Sequence, residues 1–332
     1  MSTSKHPADR DARRRLLLAA ALALAGPRGL AQDGWPNKPV TLVVPFPPGG
    51  GTDAFAGPLG AQLGKALGQP FIIEHRGGAG GTVGAGVAAR AAPDGYTLLM
   101  GAVHHAIAPA VHPKLDYDIE TDFVPIGLIS RVPQVIVVHA QRLPVADLKE
   151  LLELLRDNPG KYAYASAGHG TSHHLAAELF KLQTNTSITH VAYDGAGPAL
   201  QDLITGRVDI MFDGLGSSAA HIRAGRIKAL ALASDKRLSA FPDLPTVVEF
   251  NLRDYKVATW YGLWAPKGTP PDVVLHLQDA LRKALNSDEL AAAWRSLGST
   301  TPKLYGQAFG RFVAAETKRW ADLARATGAK PQ

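Results

Sequence analysis

Four stretches of this 332-residue chain combine glycines with groups that can hold a ligand. They are "PFPPGGGTD" (45–53), "GAVHHAIAP" (101–109), "SAGHGTSHH" (166–174) and "YDGAGPA" (193–199). Each follows an apolar run and leads into a helical pattern. A helix start offers unpaired N–H groups and a partial positive charge, so it attracts a carboxylate or phosphate without needing an arginine. Glycines there tolerate positive φ and let a ligand reach the main chain. The chemistry suggested is therefore anion binding by backbone.

Covalent chemistry is less well supported. Ser166 lies in "YASAG", where Tyr164 replaces the first glycine of a G-x-S-x-G nucleophile elbow. "GAGVAA" (84–89) matches a dinucleotide fingerprint, but no strand leads directly into it. No G-x-x-x-x-G-K-[ST] occurs, so no nucleotide cofactor is expected. Histidines 104, 105, 112, 169, 173 and 174 fall in or near the loops. His169 and His173 would share a helix face and could ligate a metal, yet Gly168 and Gly170 argue for a loop and no H-E-x-x-H is present. The expectation is no metal, with His173 and His174 as solvated first-turn side chains. Ser172 is a candidate N-cap, and Asp53 is expected to cap its helix and pin its loop by hydrogen bonds.

The elements that position these loops alternate regularly. "VTLVV", a helix from Asp53 to Leu67, "FIIE", a helix from Thr82 to Ala91 and "YTLLM" predict strand–helix–strand units with a mainly parallel sheet. A second series starts at "VPQVIVVHA" (132–140) and includes a helix from Val145 to Asp157. It runs through "YAYAS", "ITHVAY", "VDIMFD" and "IKALALAS", with Pro198 expected at the first position of its helix and Gly206 at a left-handed stop. After "YKVATWYGLWAP" (255–266) the tail is helical. This order predicts a second domain, 132–255, inserted into a discontinuous first one, 32–131 plus 256–332. Two strands near Val132 and Trp260 would cross between the domains, leaving a cleft for a ligand.

The N-terminus reads as an export signal. "RRRLLLAAALALAGPRGLA" (13–31) sets arginines before a short apolar run and a small-residue cleavage site after Ala31. Its arginines fit either the general secretory or the twin-arginine route. The formal charge is +6, from 35 basic and 29 acidic residues, but six of the basic and two of the acidic residues precede Gln32, leaving 29 against 27. So small a balance, without basic runs interleaved with aromatics, gives no reason to expect nucleic acid. There are no cysteines, which excludes disulfides and thiolate chemistry. A bacterial periplasm is the expected compartment.

Taken together, "WPNKPVTLVVPFPPGGGTD", "RGGAGGTVGA", "PDGYTLLMG", "YASAGHGTSHHLAAELF", "FPDLPTVVE", "WYGLWAPKGTP" and "FVAAETKRWADL" give a chain that resembles the Bug receptors. These are the periplasmic solute-binding components of tripartite tricarboxylate transporters. The resemblance implies an α/β, two-lobed Venus-flytrap protein, monomeric and without cofactor. It would capture a small carboxylate, mono- to tricarboxylate, and present it to membrane permease subunits. Carried over residue by residue, it implies ligand contacts at Phe46, Gly49, Gly50, Thr52 and Asp53, at Ser166, Gly168, His169, Gly170 and Thr171, and at Gly195, Ala196 and Asp213. The chain departs from the family at His169, usually Asn, and at His104-His105, usually Thr-His. These imidazoles would favour a more acidic or aromatic ligand, or make binding depend on pH near 6.5. The alternatives are a ligand-sensing receptor for a signalling partner and a histidine-dependent hydrolase or metalloenzyme.

Overall fold

The strand leading into the first glycine loop is made for burial on both sides. In Val40–Val44 (β1), Val40, Leu42, Val43 and Val44 are all buried, as befits a strand inside a sheet covered on both faces. The computed structural model describes residues 34–112 and 114–329; the expected leader and its cleavage site lie outside the described residues.

From β1 the chain runs through helix Gly51–Leu67 (α1), strand Phe71–His75 (β2), helix Thr82–Ala89 (α2), strand Thr97–Ala102 (β3) and helix His104–Val111 (α3). Strand Phe123–Val138 (β4) opens a second series: helix Leu148–Asp157 (α4), strand Ala163–Ser166 (β5), helix Ser172–Thr184 (α5), strand Thr189–Ala192 (β6) and helix Ala196–Ile204 (α6). Strand Ile210–Gly214 (β7), helix Leu215–Arg223 (α7) and strand Lys228–Leu232 (β8) complete it. The chain returns through strand Ala258–Pro266 (β9) to helices Pro271–Leu285 (α8), Asp288–Arg295 (α9) and Gly306–Thr327 (α10).

The strands join in the order β2-β1-β3-β9-β4-β7-β5-β6, with β8 also on β4. Pairing is parallel in β2-β1-β3 and in β6-β5-β7, and antiparallel wherever β4 or β9 takes part. β4 explains the two lobes. Its first part, Phe123 to Pro133, pairs with β9, and its last five residues, Gln134 to Val138, pair with β7. One 16-residue strand thus serves two sheets. Register shifts against β9 at Pro125/Gly127 and Leu128/Ser130 bend it on the way. The chain is a two-lobed α/β protein whose lobes meet along β4 and β9.

Beyond the bend, alternate residues feed opposite cores. Val135 and Val137 pack with Leu200, Leu203 and Met211, whereas Ile136 and Val138 pack with Leu148, Leu155, Phe180 and Phe212. The amphipathic α4 supplies Leu148, Leu151, Leu152 and Leu155 at helical spacing. It begins at Leu148 instead of Val145 because Asp147 caps it, accepting from Glu150 N at 3.0 Å, while Glu150 accepts from Ala146 N at 2.6 Å. The tail helix α10 buries Phe309, Val313 and Trp320 and packs on α3 and β4, also reaching α5. Glu316 on α10 accepts from the indole N–H groups of both Trp260 (2.8 Å) and Trp320 (3.1 Å). No helix of the described residues is long and apolar enough to cross a membrane.

Candidate functional site

Between the lobes lies a small pocket. One side is formed by Phe46, by Gly50, Gly51 and Thr52 where α1 begins, and by His104 where α3 begins. The other side is formed by Ala167 after β5, His173 in the first turn of α5, Ala196 at the start of α6 and Ser217 in the first turn of α7. Thr259 and Tyr261 of β9 close the back. Five helices, α1, α3, α5, α6 and α7, therefore begin at this one pocket. No lysine or arginine stands among its lining residues. Their first-turn N–H groups and dipole ends make a positive site out of backbone alone.

Glycines let the two sides touch. A Cβ on Gly50 would sit 3.5 Å from the Ala196 Cβ, and one on Gly197 would meet the Pro48 carbonyl at 2.5 Å. A Cβ on Gly51 would overlap the Tyr261 hydroxyl. Gly50 has an ordinary φ of −91°, so its lack of a side chain serves approach and not backbone strain.

The polar groups here are buried and only partly satisfied. Ser172 N–H donates to His104 Nδ1 across the cleft at 3.2 Å. An N–H can only donate, so the neutral His104 ring carries its proton on Nε2. Burial, and then the neighbouring His173 and His105, hold His104 well below the usual imidazole pKa. Asp213 Oδ1 lies 3.2 Å from His173 Nε2, and Oδ2 accepts from the hydroxyls of Ser217 (2.7 Å) and Ser218 (2.5 Å). His173 Nδ1, Ser172 Oγ and Thr259 Oγ1 are buried with no hydrogen-bond partner among the described residues. Such clustering of unmet polar atoms calls for a bound group. Tyr261, stacked on Phe55 at 4.7 Å, is pushed far up by burial and by Asp213, and so stays a neutral hydroxyl.

The residues singled out in the sequence divide into groups. Phe46, Gly50, Thr52 and Ala196 line the pocket. Asp53 does not cap α1, whose cap, Gly50, has no side-chain bond. The helix already begins at Gly51, and the Asp53 carboxylate turns back to accept from Gly49 N–H at 3.0 Å and to meet His75 Nε2 at 2.6 Å. Ser166 is wholly buried, and its hydroxyl is occupied by Gly168 N, Gly168 O and His190 Nε2 (2.6 Å). The serine–histidine contact has the reach of a nucleophile and base, but an Oγ closed off this way cannot attack a substrate. Thr171, not Ser172, caps α5, and it also donates to Gly168 O at 2.7 Å.

Gly168 and Gly170 adopt φ of 123° and 70° and shape the loop without lining the pocket. Gly49 and Gly195 likewise sit one residue back, and Asp213 acts through Ser217 and His173. Pro198 falls at the third helical position instead of the first, still within the turn where no N–H is required.

The histidines depart most from expectation. His173 is 4% exposed, the opposite of a solvated side chain. Of the adjacent pair, only His104 faces the pocket. His105 turns into the core against Tyr117 Oη at 2.9 Å, and burial drives it down to about 3. Neither His104 nor His105 therefore titrates near 6.5. His169 stands away from the pocket, with His174 and His190. His173, Ser217, Thr259 and Tyr261 were not singled out as ligand contacts. For His173 and Ser217 the signal is position, since both fall in the first turn of a helix that follows a glycine.

A larger cavity opens near the crossing strands, lined by Arg131, Asp235, Lys256 and Thr300 among others. No helix begins on it, so it lacks the feature that marks the smaller pocket.

The family model for the tripartite tricarboxylate transporter family receptor, TctC, matches residues 58–329. Among solved structures, the periplasmic binding protein BugD is 35% identical, with a TM-score of 0.87 over 90% of this chain and 100% of that one. Rpa4515 of R. palustris, solved with adipate, is 37% identical at a TM-score of 0.87, covering 90% of this chain and 100% of its own. MatC (Rpa3494) of Rhodopseudomonas palustris, solved with bound malate, is 36% identical at 0.82, covering 87% and 99%.

Proposed function

Since the chain belongs to the tripartite tricarboxylate transporter receptor family, we propose that it captures one small carboxylate, from mono- to tricarboxylate, in the pocket between its lobes and presents it to membrane permease subunits. The observation that carries this reading is the convergence of five helix N-termini on a pocket free of lysine and arginine. A site of that kind neutralises a compact anion with fixed amides. It discriminates by shape, because backbone donors cannot move to follow a different ligand. The adipate and malate held by the two relatives support a dicarboxylate in particular.

In this reading the protein works in the periplasm after removal of residues 1–31 and performs no chemistry. The lobes are 32–131 with 256–332, and 132–255. The ligand contacts are Phe46, Gly50, Thr52 and Ala196 together with His104, His173, Ser217, Thr259 and Tyr261. Residues Gly49, Asp53, Ser166, Gly168, His169, Gly170, Thr171, Gly195 and Asp213 shape or brace the loops behind them. Closure follows if the ligand binds the closed form better than the open one.

Thermal unfolding in the presence of mono-, di- and tricarboxylates tests the ligand class. A ligand present at 100 times its Kd adds about 2.7 kcal/mol of stability. A shift by amines or sugars with none from any carboxylate would refute the reading. Co-purification with a permease subunit or with a sensor kinase separates transport from signalling.

A further inference from the structure

Behind the loop that joins β5 to α5, three imidazoles from three different positions meet. His169 comes from the loop, His174 from the first turn of α5 and His190 from β6, and a ring nitrogen from each lies within 4.8 Å of the other two. The rings of His174 and His190 are stacked at 4.3 Å, and His169 stands edge-on to both, at 5.5 and 4.7 Å. None of the three lines the pocket between the lobes.

We propose that His169, His174 and His190 bind one divalent transition-metal ion of the zinc, nickel or copper class on the second lobe, beside the carboxylate pocket and separate from it.

The hydrogen bonds say which lone pairs are on offer. Ser166 Oγ accepts from Gly168 N–H (3.1 Å) and can donate to Gly168 O (3.1 Å). Its remaining lone pair accepts from His190 Nε2 at 2.6 Å. With the Ser166 hydroxyl donating to Gly168 O, the His190 proton is on Nε2 and Nδ1 presents a lone pair. This is the arrangement by which a second hydrogen bond orients a metal-bound histidine. His174 Nδ1 accepts from Gly170 N–H at 3.2 Å, so it too has a lone pair, spent on a long bond that an ion can replace.

Three imidazole nitrogens without a thiolate or carboxylate suit borderline metals and not calcium or magnesium. Tetrahedral bonds of about 2.0–2.1 Å place ligand nitrogens roughly 3.3 Å apart, so the nitrogens, which lie within 4.8 Å of one another, close in by at most roughly 1.5 Å through χ rotations. Burial is the main influence that lowers His174 to about 4, against an upward pull from Glu178, and burial together with His174 and His169 lowers His190 to about 3. The facing charges nearly cancel: Lys181 is paired with Glu178 at 2.8 Å, and Glu178 also accepts from Tyr164 Oη at 2.6 Å. A fourth position is left to water.

The test uses untagged protein, stripped with chelator and titrated with Zn²⁺ or Ni²⁺ alone by calorimetry or equilibrium dialysis. One ion per chain is expected, with affinity at least about tenfold weaker in His169→Asn and in His190→Ala. His169→Asn lies on the loop, and its metal-free melting curve reports whether folding is intact. Co²⁺ should give the visible absorption of a tetrahedral nitrogen site in wild type and not in the variants. No saturable binding by wild type, or undiminished one-to-one binding by a folded His169→Asn, would overturn the assignment.

Discussion

His173 Nε2 lies 3.2 Å from Asp213 Oδ1, and the two side chains are 5% and 0% exposed. The carboxylate that might have repelled an anionic ligand is thus held at Oδ2 by the hydroxyls of Ser217 and Ser218, while Oδ1 faces this imidazole and accepts no hydrogen bond among the described residues. It holds the His173 ring with Nε2 toward the acid and Nδ1 away from it, and it fixes Ser217 at the pocket wall.

Asp213→Asn separates bracing from repulsion. An amide has no charge to set against His173 and a single oxygen to accept from the serines, so dicarboxylate binding should weaken by about 1–3 kcal/mol, the usual cost of losing hydrogen bonds to a charged group. If Asp213 acted mainly by repelling the ligand, the variant would bind more tightly. Calorimetric titration distinguishes the two signs.

Gly50 tests the close approach. Its φ is ordinary and an added Cβ would only reach contact distance, 3.5 Å, from Ala196. Gly50→Ala should therefore bind nearly as wild type, while Gly50→Val, which adds two methyls between the lobes, should lose at least about tenfold in affinity with an unchanged melting temperature in the absence of ligand. Equal affinity in wild type and Gly50→Val would place the ligand elsewhere.

Thr52 and Ser166 should behave differently, although both were candidates for the same role. Thr52 lines the pocket, so Thr52→Ala should cost on the order of 1 kcal/mol of binding and little stability. Ser166 ties Gly168 and His190 together. Ser166→Ala should lower the melting temperature, with any loss of affinity following from the loosened loop. The pair is read by measuring melting and binding on both variants.

Acid should destabilise the fold through His105. In the unfolded chain an imidazole takes up its proton near pH 6.5, whereas folding holds His105 at about 3 by burial. Between those values the unfolded state carries more protons, so stability rises with pH, is fully present above about 6.5 and is lost as pH falls toward 3. His104, also lowered, adds to the same trend. The melting temperature should fall on acidification below pH 6.5, and less steeply in His105→Gln. An identical pH slope in that variant would remove His105 from the explanation.

Much of this was legible in the sequence because it is written locally. The five-residue strand "VTLVV", the glycines after it and the alternation of strands with helices are short-range patterns. They place the loops at one end of each sheet. What they do not contain is direction across the molecule. His104 and His105 are neighbours, yet one faces the pocket and the other Tyr117, because on α3 they point to different sides. Thr259 and Tyr261 join the pocket only because β9 pairs with β3 and β4, a long-range event. His190 was invisible for the same reason: β5–β6 pairing sets it beside Tyr164, two residues before Ser166.

The central claim is that backbone amides at converging helix starts neutralise one small anion. Calorimetric titration with a linear dicarboxylate, such as adipate, and with its dimethyl ester tests it most directly, since the two ligands share a chain and differ in charge. The account predicts one-to-one binding of the diacid and loss of at least about a hundredfold for the ester, with roughly 1.4 kcal/mol for each factor of ten. Binding of the ester as tight as that of the diacid would contradict it.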